Sequence, residues 1–561
     1  MINYTVMNLT GGLFMQVTKD ELREAITNKI PHLWALKHRQ IKGNPLTFTS
    51  SKHPLKHRPW QIPILNDQHP NKAVRKSRQL GLSEMSVTET IWFLDQHNNT
   101  KAMYTFPRKE QAEDFSNTRI TPIFTESPYL SSRLDQKLNN VRLKKLSNNS
   151  VLFLRSAWGS ALGEGVDIDL LGLDEYDRMA DGVELAFQES MKSSRYGLLR
   201  RWSTPTIPGR GVDLLFQNSD QKWWHYKCSC CGEWQVLTLE DNILQVKPNG
   251  VNMVEETIED GTFMFICSKC KKPLYRWECQ GQYVTKYPSK KDISGYHISQ
   301  LDAVWISADQ IMRNQFTYKV KQLFYNYVIG IPYASEGLII TDQDIISCIG
   351  YPDPIGYRDY SIYKKVVSGI DWGHVNWMVI LGLTEDDQVH LLDIHWVEDN
   401  PFKPLECVNI FTALLKPYDP DVIVADNGFG ADRNSLLIQQ FPGRTYACDW
   451  DTHKSKVPLV DQWSDNSARV RVDKTVKMKR TLFNVKARAL KVFGKCEKLD
   501  MFTKHLKNVR TLIEEEDGVI YERVTRIGDD HLACAGTYAY IALDRILAKH
   551  KQSSGLEFDF V

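Results

Sequence analysis

One stretch of this chain, residues 74–84, has the residue types of a phosphate-binding loop in an unusual order. The usual loop reads G-x-x-x-x-G-K-[ST]. Gly81 and Ser83 fill the second glycine and the hydroxyl positions, but Leu82 stands where the lysine belongs and Lys76 stands where the first glycine belongs. Such a loop binds a nucleotide through inward-facing backbone N–H groups, one cation and one hydroxyl. The stretch therefore has the parts for nucleotide binding, with the lysine moved.

The moved cation and the segment that follows it determine what this loop can do. Lys76 at its start, or Arg78 within it, can reach the terminal phosphates, and Ser83 can bind Mg²⁺. The apolar run from Met85 to Leu94 predicts a helix whose N-terminus faces the phosphates. Taken alone, these residues are more typical of a surface turn in which Ser83 is the N-cap of a helix.

A partner motif follows in the apolar strand predicted at Ile168–Leu173, which leads into Asp174 and Glu175. Asp174 would hold the water shell of Mg²⁺, and Glu175 would polarise the attacking water. The alternative is a strand followed by an acidic N-cap cluster, but the loop and the acidic strand together favour an ATPase site. Ser203-Thr204-Pro205, at the end of another predicted strand, could sense the γ-phosphate.

Two C-x-x-C pairs predict a metal site. The two pairs with the same C-x-x-C spacing are Cys228 with Cys231 and Cys267 with Cys270. Cys230 is then not needed as a ligand. Four thiolates form a closed tetrahedral zinc site, which is structural because no position stays open for catalysis. A redox role is less favoured, because neither pair has a thioredoxin-like context. The total of eleven cysteines is odd, which favours a reducing compartment over a disulfide framework.

A second set of acids lies in the C-terminal half. Apolar strands lead into Asp371 and Asp426, and Asp529 and Asp530 stand just before the last predicted helix. Three acids on neighbouring elements can hold two divalent ions about 4 Å apart, the arrangement for phosphodiester hydrolysis. Carboxylates favour Mg²⁺ or Mn²⁺ over zinc. Singly, each acid is more typical of an ordinary strand end or N-cap. Asp530 is the preferred third ligand and Asp529 the alternative.

The segment Arg469–Lys495 is strongly basic, with Asp473 its only acid. A solvated helix face usually mixes both signs, so this bias predicts a track for a DNA backbone. The alternative is a basic helix that contacts another subunit.

These residues lie in a chain of 561 residues with a net charge of +2, which predicts two or three globular domains and only local nucleic-acid patches. Alternating apolar runs and helix-like stretches predict α/β structure on both sides of a linker. No apolar run reaches the roughly 18 residues of a membrane span. The N-terminus lacks the pattern of a signal peptide. The predicted ranges are a helical arm at 1–44, a first α/β domain at 45–340, a linker at 341–364, a second α/β domain at 365–550 and a tail at 551–561. The first domain is predicted to start with an extended loop to residue 70 and to carry the cysteine insert at about 222–300.

Residues 76–83 resemble the deviant loop of phage terminase large subunits, the ATPases that package viral DNA. Members carry S-R-Q-x-G-K-[ST] or a form with the lysine at the start of the loop, and this sequence combines features of both. The cysteine ribbon followed by Gly295–Leu301 resembles the lambda-type GpA branch. The ATP-binding set that the resemblance implies is Trp60, Gln61, Lys76, Ser77, Arg78, Gln79, Gly81, Leu82 and Ser83.

The resemblance also implies individual roles. Lys76 is the phosphate lysine, Arg78 a cis-acting arginine in hydrolysis, and Trp60-Gln61 the adenine-contacting motif. Ser203-Thr204-Pro205 is the coupling motif. The implied fold class is α/β, with a P-loop (ASCE-type) ATPase domain carrying a zinc-ribbon insert, followed by an RNase H-like nuclease domain.

The function implied is an ATP-driven motor that translocates viral double-stranded DNA into a procapsid, joined to a metal-dependent endonuclease that cuts concatemeric DNA. The implied cofactors are ATP with Mg²⁺, two Mg²⁺ or Mn²⁺ ions in the nuclease site, and structural Zn²⁺. The implied partners are a portal protein, a small terminase subunit and further copies of the chain in a ring, in the host cytoplasm. A neighbouring copy could supply an arginine, for which Arg142 and Arg155 are candidates. The alternatives are a repair-type helicase-nuclease, or a zinc-ribbon DNA-binding scaffold with an inactive ATPase.

Overall fold

The computed structural model describes residues 4–6, 15–157, 166–180, 182–246, 262–318, 320–333, 338–351, 362–400, 402–403, 405–451, 460–516 and 519–554. The chain forms two compact units, Met1–Tyr333 and Ala334–Val561. Of the predicted tail, residues 551–554 belong to the last helix and the rest lies outside the described residues. No helix in the described part of the chain is both long and apolar enough to cross a membrane.

The strands described in the first unit are β1 (Tyr4–Val6), β2 (Met15–Val17), β3 (Gln40–Ile41), β4 (Asn44–Pro45), β5 (Asn71–Lys76), β6 (Lys101–Phe106), β7 (Leu134–Asn140), β8 (Leu143–Leu146), β9 (Val151–Ser156), β10 (Leu170–Asp174), β11 (Leu198–Ser203), β12 (Lys222–Lys227), β13 (Trp234–Gln235), β14 (Ile243–Val246), β15 (Thr262–Phe265), β16 (Gly281–Thr285) and β17 (Ser294–Ile298). Its helices are α1 (Lys19–Lys29), α2 (Pro31–His38), α3 (Gln61–Asn66), α4 (Leu82–Gln96), α5 (Lys109–Phe115), α6 (Thr121–Glu126), α7 (Pro128–Arg133), α8 (Val183–Glu189), α9 (Gly211–Asn218), α10 (Leu239–Asn242), α11 (Ala308–Thr317) and α12 (Lys321–Phe324).

The central sheet of the first unit has the strand order β13-β12-β17-β5-β11-β10-β6-β9-β8-β7, with β16 beside β12. From β17 to β9, neighbouring strands run parallel. Most of their residues are buried, because helices cover both faces of a parallel sheet. Strand β11 lies between β5, which leads into the phosphate loop, and β10, which carries the acids. This is the order of ASCE-type ATPases, so the predicted fold class is confirmed for this unit.

Helix α4 is locked to the sheet by a buried ion cluster. Its Glu89 accepts hydrogen bonds from Lys72 Nζ at 3.0 Å and from Arg200 Nε at 2.7 Å. Lys72 belongs to β5 and Arg200 to β11, and all three side chains are buried. Because removing one member would leave a buried charge unpaired, the cluster fixes the position of the helix on the sheet.

Two segments differ from the sequence-based expectation or add to it. The stretch 45–70, predicted to be extended, contains helix α3. Its Ile64 and Leu65 are fully buried, so tertiary packing stabilises a helix that the local sequence does not favour. The N-terminal arm contains α1 and α2 as expected, and short strands as well.

The second unit contains strands β18 (Tyr363–Asp371), β19 (Val375–Thr384), β20 (Val389–Glu398), β21 (Val422–Asp426), β22 (Thr445–Asp451), β23 (Gln462–Ser464), β24 (Arg469–Asp473), β25 (Leu490–Lys491), β26 (Val509–Glu516) and β27 (Val519–Arg526). Its helices are α13 (Asp342–Ile346), α14 (Glu406–Leu415), α15 (Ala431–Gln440), α16 (Lys474–Lys486), α17 (Glu497–Lys507) and α18 (His531–Ser554). Helix α13 lies inside the range predicted to be a linker.

The main sheet of this unit has the order β23-β24-β22-β21-β18-β19-β20-β25. Strands β18, β19 and β20 form an antiparallel meander, and β21 and then β22 join β18 in parallel. This is the RNase H-like strand order, which confirms the predicted fold class. Gly369 of β18 lies so close to α18 that an added Cβ would overlap the Ala535 carbonyl. The helix that follows Asp530 therefore packs directly against the strand that ends in Asp371.

Candidate functional site

Three parallel strands bring the predicted nucleotide-site residues to one edge of the first sheet. Strands β5, β11 and β10 end at Lys76, Ser203 and Asp174, and they are neighbours in register. Because parallel strands place their carboxyl ends at the same edge, residues far apart in sequence meet there. Lys76 Nζ lies 3.1 Å from Glu175 Oε1. The moved lysine and the acidic strand thus contact each other directly.

The acid pair of β10 is held from both sides. The Tyr104 hydroxyl donates to Asp174 Oδ2 at 2.9 Å, and Ser83 lies against the same carboxylate. Ser83 and Asp174 together are a hard oxygen donor set of the kind that Mg²⁺ prefers. The residues present therefore fit a magnesium ion bound with a nucleotide.

Charge and burial act in opposite directions in this cluster. Burial raises the pKa of Asp174, although Lys76 opposes the effect. Burial alone would lower the pKa of Lys76, but Glu175 and Asp174 raise it above its ordinary value. Burial alone would raise the pKa of Glu175, but Lys76 and Arg178 lower it. Lys76 and Glu175 therefore form a charged pair at neutral pH.

The loop itself is braced by the surrounding protein. Gln61 Nε2 donates to the Leu80 carbonyl at 3.2 Å, and the backbone N–H groups of Ser77 and Arg78 donate to Ile298 and Tyr327. The loop turns through Gly81, whose φ is +75°, into α4. Two N–H groups of the loop thus bond to protein carbonyls.

Arg78 is held by an aromatic ring. Its guanidinium carbon lies 3.3 Å from the centroid of the Tyr327 ring, and its charge acts on both Lys76 and Glu175. The Tyr327 hydroxyl in turn accepts from Arg178 at 3.4 Å. This contact keeps a cation in the site without neutralising it.

Trp60 and its surroundings differ from a ready adenine pocket. The indole is fully buried in the core, and its N–H has no hydrogen-bond partner. A cavity of about 20 Å³ beside Gly81 and Gln61 has room for roughly one water molecule. A purine would need this cavity to widen, and the adenine role of Trp60-Gln61 stays a prediction.

The predicted coupling motif is tied to the acidic strand by Asp177. The backbone N–H of Asp177 donates to Ser203 Oγ, and its carboxylate accepts from the backbone and hydroxyl of Thr206 at 3.0 Å and from the Val212 N–H. The Thr204 hydroxyl is buried without a hydrogen-bond partner. Asp177 thus links the turn after Glu175 to the segment that follows β11.

The four predicted cysteines converge. Cys228 Sγ lies 3.9 Å from Cys270 Sγ, Cys231 Sγ lies 3.7 Å from Cys267 Sγ, and all four sulfur atoms lie within 4.8 Å of one another. Zn–S bonds of about 2.3 Å in a tetrahedron give an S–S spacing of about 3.8 Å, so the cluster fits zinc. Burial alone would raise the pKa of Cys267, but the N–H groups of Cys270 and Lys269 lower it to about 6, whereas the pKa values of Cys231 and Cys270 are raised.

The second acid set lies at the edge where β18 and β21 end. Ile370 pairs with Ala425, so Asp371 and Asp426 are side by side. The Tyr538 hydroxyl donates to Asp426 Oδ1 at 2.9 Å, and His531 Nδ1 lies 2.8 Å from Asp371 Oδ2. Helix α18 thus places a ring on each carboxylate.

Burial, with the added charges of Asp426 and Asp530, raises the pKa of Asp371 to about 6. Mutually repelling carboxylates of this kind are a donor set that divalent ions stabilise. The Asp530 carboxylate is buried, whereas Asp529 is exposed. The oxygens of Asp371, Asp426 and Asp530 are not all within 4.8 Å of one another. The residues fit divalent ions, and the two-ion arrangement stays a prediction.

Many of the basic side chains in the segment Arg469–Lys495 pair with acids from other elements. Lys477 and Arg480 pair with Asp544, and Lys479 pairs with Glu522 at 2.5 Å. Further pairs are Lys486–Asp344, Arg469–Asp449 and Arg471–Asp451. The excess of positive charge along the sequence is thus largely offset by acids from other elements, which weakens the predicted DNA track.

Five contact residues were not found from the sequence: Tyr104, Asp177, Tyr327, His531 and Tyr538. The sequence carried a signal only for His531, which follows two acids directly. Tyr104, Tyr327 and Tyr538 reach the sites through packing between distant elements, which no local pattern reports. Asp177 is close to Glu175 in sequence, but its partners Ser203 and Thr206 are not.

The two arginines considered for a neighbouring site, Arg142 and Arg155, line a cavity of about 260 Å³ together with Lys109. Arg142 Nη2 lies 3.4 Å from Glu113 Oε1. The lining of the cavity thus contains three cations and the acid Glu113.

Comparison with known proteins agrees with this geometry. Residues 54–278 match the family model described as the ATPase domain of the phage terminase large subunit gpA. No curated protein matches the chain with significance. The resemblance inferred from the sequence, including the GpA branch, is therefore confirmed for the ATPase domain.

One solved structure extends the comparison to most of the chain. The large terminase of bacteriophage HK97 aligns with a TM-score of 0.52 and 12% identity, covering 91% of this chain and 98% of that chain. The ATPase domain of the Thermus phage P74-26 large terminase aligns with a TM-score of 0.33 and 15% identity, over 49% and 95% of the two chains. The large terminase nuclease of a thermophilic phage aligns with a TM-score of 0.25 and 14% identity, over 37% and 98%. At this identity, the HK97 likeness concerns the fold.

Proposed function

We propose, on the premise that residues 54–278 form an ATPase domain of the phage terminase large-subunit gpA family, that this chain is a large terminase subunit. In this proposal the first unit hydrolyses ATP to translocate viral double-stranded DNA into a procapsid. The second unit cuts concatemeric DNA with the help of divalent metal ions. The observation that carries the proposal is the pairing of Lys76 with Glu175 at the sheet edge that also holds Asp174 and Ser83.

The ATPase roles follow from the charges in the site. Lys76 would leave Glu175 and bind the terminal phosphates, because its ammonium already lies at the base of the loop. Glu175 would then be an ionised carboxylate that accepts a proton from the attacking water. Arg78, held on Tyr327, would stabilise the charge that develops during hydrolysis. Mg²⁺ held by Ser83 and Asp174 would neutralise phosphate charge when bound.

ATP hydrolysis by substituted proteins tests this half. Lys76→Ala and Glu175→Gln should each lower the rate about 100-fold or more, as losses of charge stabilisation or of a general base typically do. Lys37→Ala is the control, because Lys37 pairs with Glu24 on the N-terminal helices. If both site variants hydrolyse ATP like the parent, the assignment is wrong. Stimulation of the ATPase by double-stranded DNA tests the translocase role.

The nuclease half is supported by the fold of the second unit and by its acid set. Asp371, Asp426 and Asp530 would hold Mg²⁺ or Mn²⁺, which would supply Lewis acidity for phosphodiester hydrolysis. His531 and Tyr538 would orient Asp371 and Asp426, because each ring bonds one carboxylate. Cutting of plasmid DNA tests this half. Asp371→Asn should abolish cutting with either metal. Asp387→Asn, an exposed aspartate paired with Lys364 in the same unit, should leave it unchanged.

The remaining proposals concern the domain ranges, the zinc site and the partners of a large terminase subunit. The ATPase domain would span 45–340 and the nuclease domain 365–550, joined by the linker at 341–364. Zinc would fold the ribbon through its four cysteines. A portal protein, a small terminase subunit and further copies of the chain in a ring would be the partners. Arg142 or Arg155 would then be candidates for an arginine supplied to a neighbouring copy.

A further inference from the structure

Two exposed rings stand beside the acid set of the second unit. The Phe429 side chain is 64% exposed, and His374 is exposed as well. Their ring centroids lie 5.9 Å apart at an interplanar angle of 63°. His374 comes three residues after Asp371, and Phe429 three residues after Asp426. We call this pair the aromatic lip.

The Phe429 half of the lip is fixed to an acid of the site. The Phe429 backbone N–H donates to Asp426 Oδ2 at 2.9 Å. The next residue, Gly430, packs so closely on Trp372 that an added Cβ would overlap the indole. Isolated exposed apolar side chains are ordinary on protein surfaces. This one is different because its backbone is bonded to the carboxylate proposed to bind metal and substrate.

Two hydrogen bonds and one ion pair, which we call the bracket, join the turns that carry Phe429 and His374. Arg433 donates to the Phe429 carbonyl at 3.4 Å and pairs with Asp399 at 2.9 Å. The Asp399 backbone N–H donates to the His374 carbonyl at 2.7 Å. Arg433 is only 8% exposed, so the bracket is built into the fold. The two turns that carry the rings are therefore held together.

The position of the lip limits what can cover it. A phosphodiester that reaches Asp426 must approach within a few ångströms of Phe429, because the carboxylate and the Phe429 N–H are already bonded. Next to each phosphate, DNA presents apolar sugar edges and base faces. Aromatic side chains bind these faces with little dependence on sequence, or enter between base steps.

We propose that the aromatic lip contacts a sugar or base of DNA beside the phosphate that is cut, and so positions the duplex on the acid set. This inference rests on the proposed nuclease function of the second unit. Phe429 would supply the apolar contact, and His374 would support its ring from the neighbouring turn.

Steady-state cutting of DNA by the full chain with Mn²⁺ tests the proposal. Phe429→Ala should raise the KM for DNA about 5- to 100-fold, the range expected from loss of one base–aromatic contact, with a smaller change in kcat. Phe429→Tyr keeps the ring and should stay within about 3-fold of the parent. The control is Phe316→Ala, because Phe316 is similarly exposed, at 57%, on helix α11 of the first unit.

A second readout does not need cutting. With p-benzoyl-phenylalanine at position 429, irradiation in EDTA should crosslink the chain to DNA, and the same residue at position 316 should not. The proposal is overturned if Phe429→Ala matches Phe316→Ala in KM and no crosslink forms. It is also overturned if Phe429→Ala changes the oligomeric state instead of DNA affinity, because the lip would then be a protein interface. Crosslinking by a chain that never cuts DNA would refute the nuclease function but keep the DNA contact. If the alanine variant fails to fold, the tyrosine variant and the crosslink decide.

Discussion

Replacing Gly330 with alanine should damage the nucleotide site from a segment that is remote in sequence. Gly330 follows the helical turn Tyr325–Ile329 and has a φ of +71°. A Cβ there would lie 2.7 Å from the Ser77 backbone nitrogen and 3.0 Å from the Lys76 carbonyl carbon. The atoms that would have to move are backbone atoms of the phosphate loop.

Gly43 provides a matched control in the same unit. Its φ is also +71°, but an added Cβ would meet nothing within 4 Å. Gly43→Ala should therefore cost only the left-handed backbone penalty, about 1–2 kcal/mol. Gly330→Ala should add an overpacking cost of about 1–3 kcal/mol, which gives about 2–5 kcal/mol in total. The comparison isolates the contact with the loop.

Thermal unfolding and ATP hydrolysis measure the difference. For a unit that ends at Tyr333, an unfolding entropy of about 2.1 cal/mol/K per residue makes 1 kcal/mol about 1.5 °C in Tm. We expect a Tm loss of about 3–7 °C for Gly330→Ala and about 1–3 °C for Gly43→Ala. Displacing Lys76 by part of an ångström should also lower kcat/KM for ATP about 10-fold or more, because misplaced catalytic groups are costly. Equal Tm losses with equal kcat/KM in the two variants would refute the reasoning.

Three further predictions concern other parts of the chain. Tyr327→Ala should lower the ATPase kcat, and Tyr327→Phe should preserve it. Because the ring acts through the Arg78 cation, Tyr327→Ala should cause no further loss of kcat in an Arg78→Ala background. Additive losses of kcat in the double variant would contradict this. Removing metal with a chelator, or Cys267→Ser, should lower the Tm of the first unit and release zinc measurable by metal analysis, whereas Cys230→Ser should do neither. Burial alone would raise the pKa of Asp67, but Lys72 and nearby hydrogen bonds lower it to about 2, below its ordinary 3.8. Because the pKa is lower in the folded state, Asp67 should contribute about 2 kcal/mol of stability that is present above pH 4 and lost as the pH falls from about 4 to 2. The Asp67→Asn variant should therefore show a smaller Tm difference between pH 6 and pH 3 than the parent. An unchanged Tm difference would exclude this role.

Local pattern was sufficient where one run of residues forms one element. The predicted strand Lys101–Phe106 is β6, because short and mainly apolar runs are typical of buried strands. The predicted strand Leu198–Ser203 is β11, although it contains the buried Arg200 and Arg201. The last helix begins at His531 as expected. The cysteine cluster was also predictable, since equal C-x-x-C spacing selects four ligands without knowledge of the fold.

Local pattern was insufficient where burial or long-range charge decides the outcome. The segment around Ile64 is helical because its apolar face is buried, although its Pro and His content favours an extended chain. The basic run Arg469–Lys495 has the sequence of a polyanion track, but acids such as Asp544 and Glu522 approach it only in the folded unit. Charge along a sequence does not report the charge of the surface that forms.

The sequence by itself determined which chemistry this protein carries: a loop with its lysine moved, an acidic strand, four zinc-type cysteines and a second acid set. These depend on residue type and spacing, which the chain order contains. Only the tertiary structure decided how the groups work together. It placed Lys76 on Glu175, Arg78 on the Tyr327 ring, and His531 on the carboxylate of Asp371. Each of these contacts joins separate strands, helices or turns, and it forms because parallel strands and packed helices bring residues distant in sequence to one edge of a sheet.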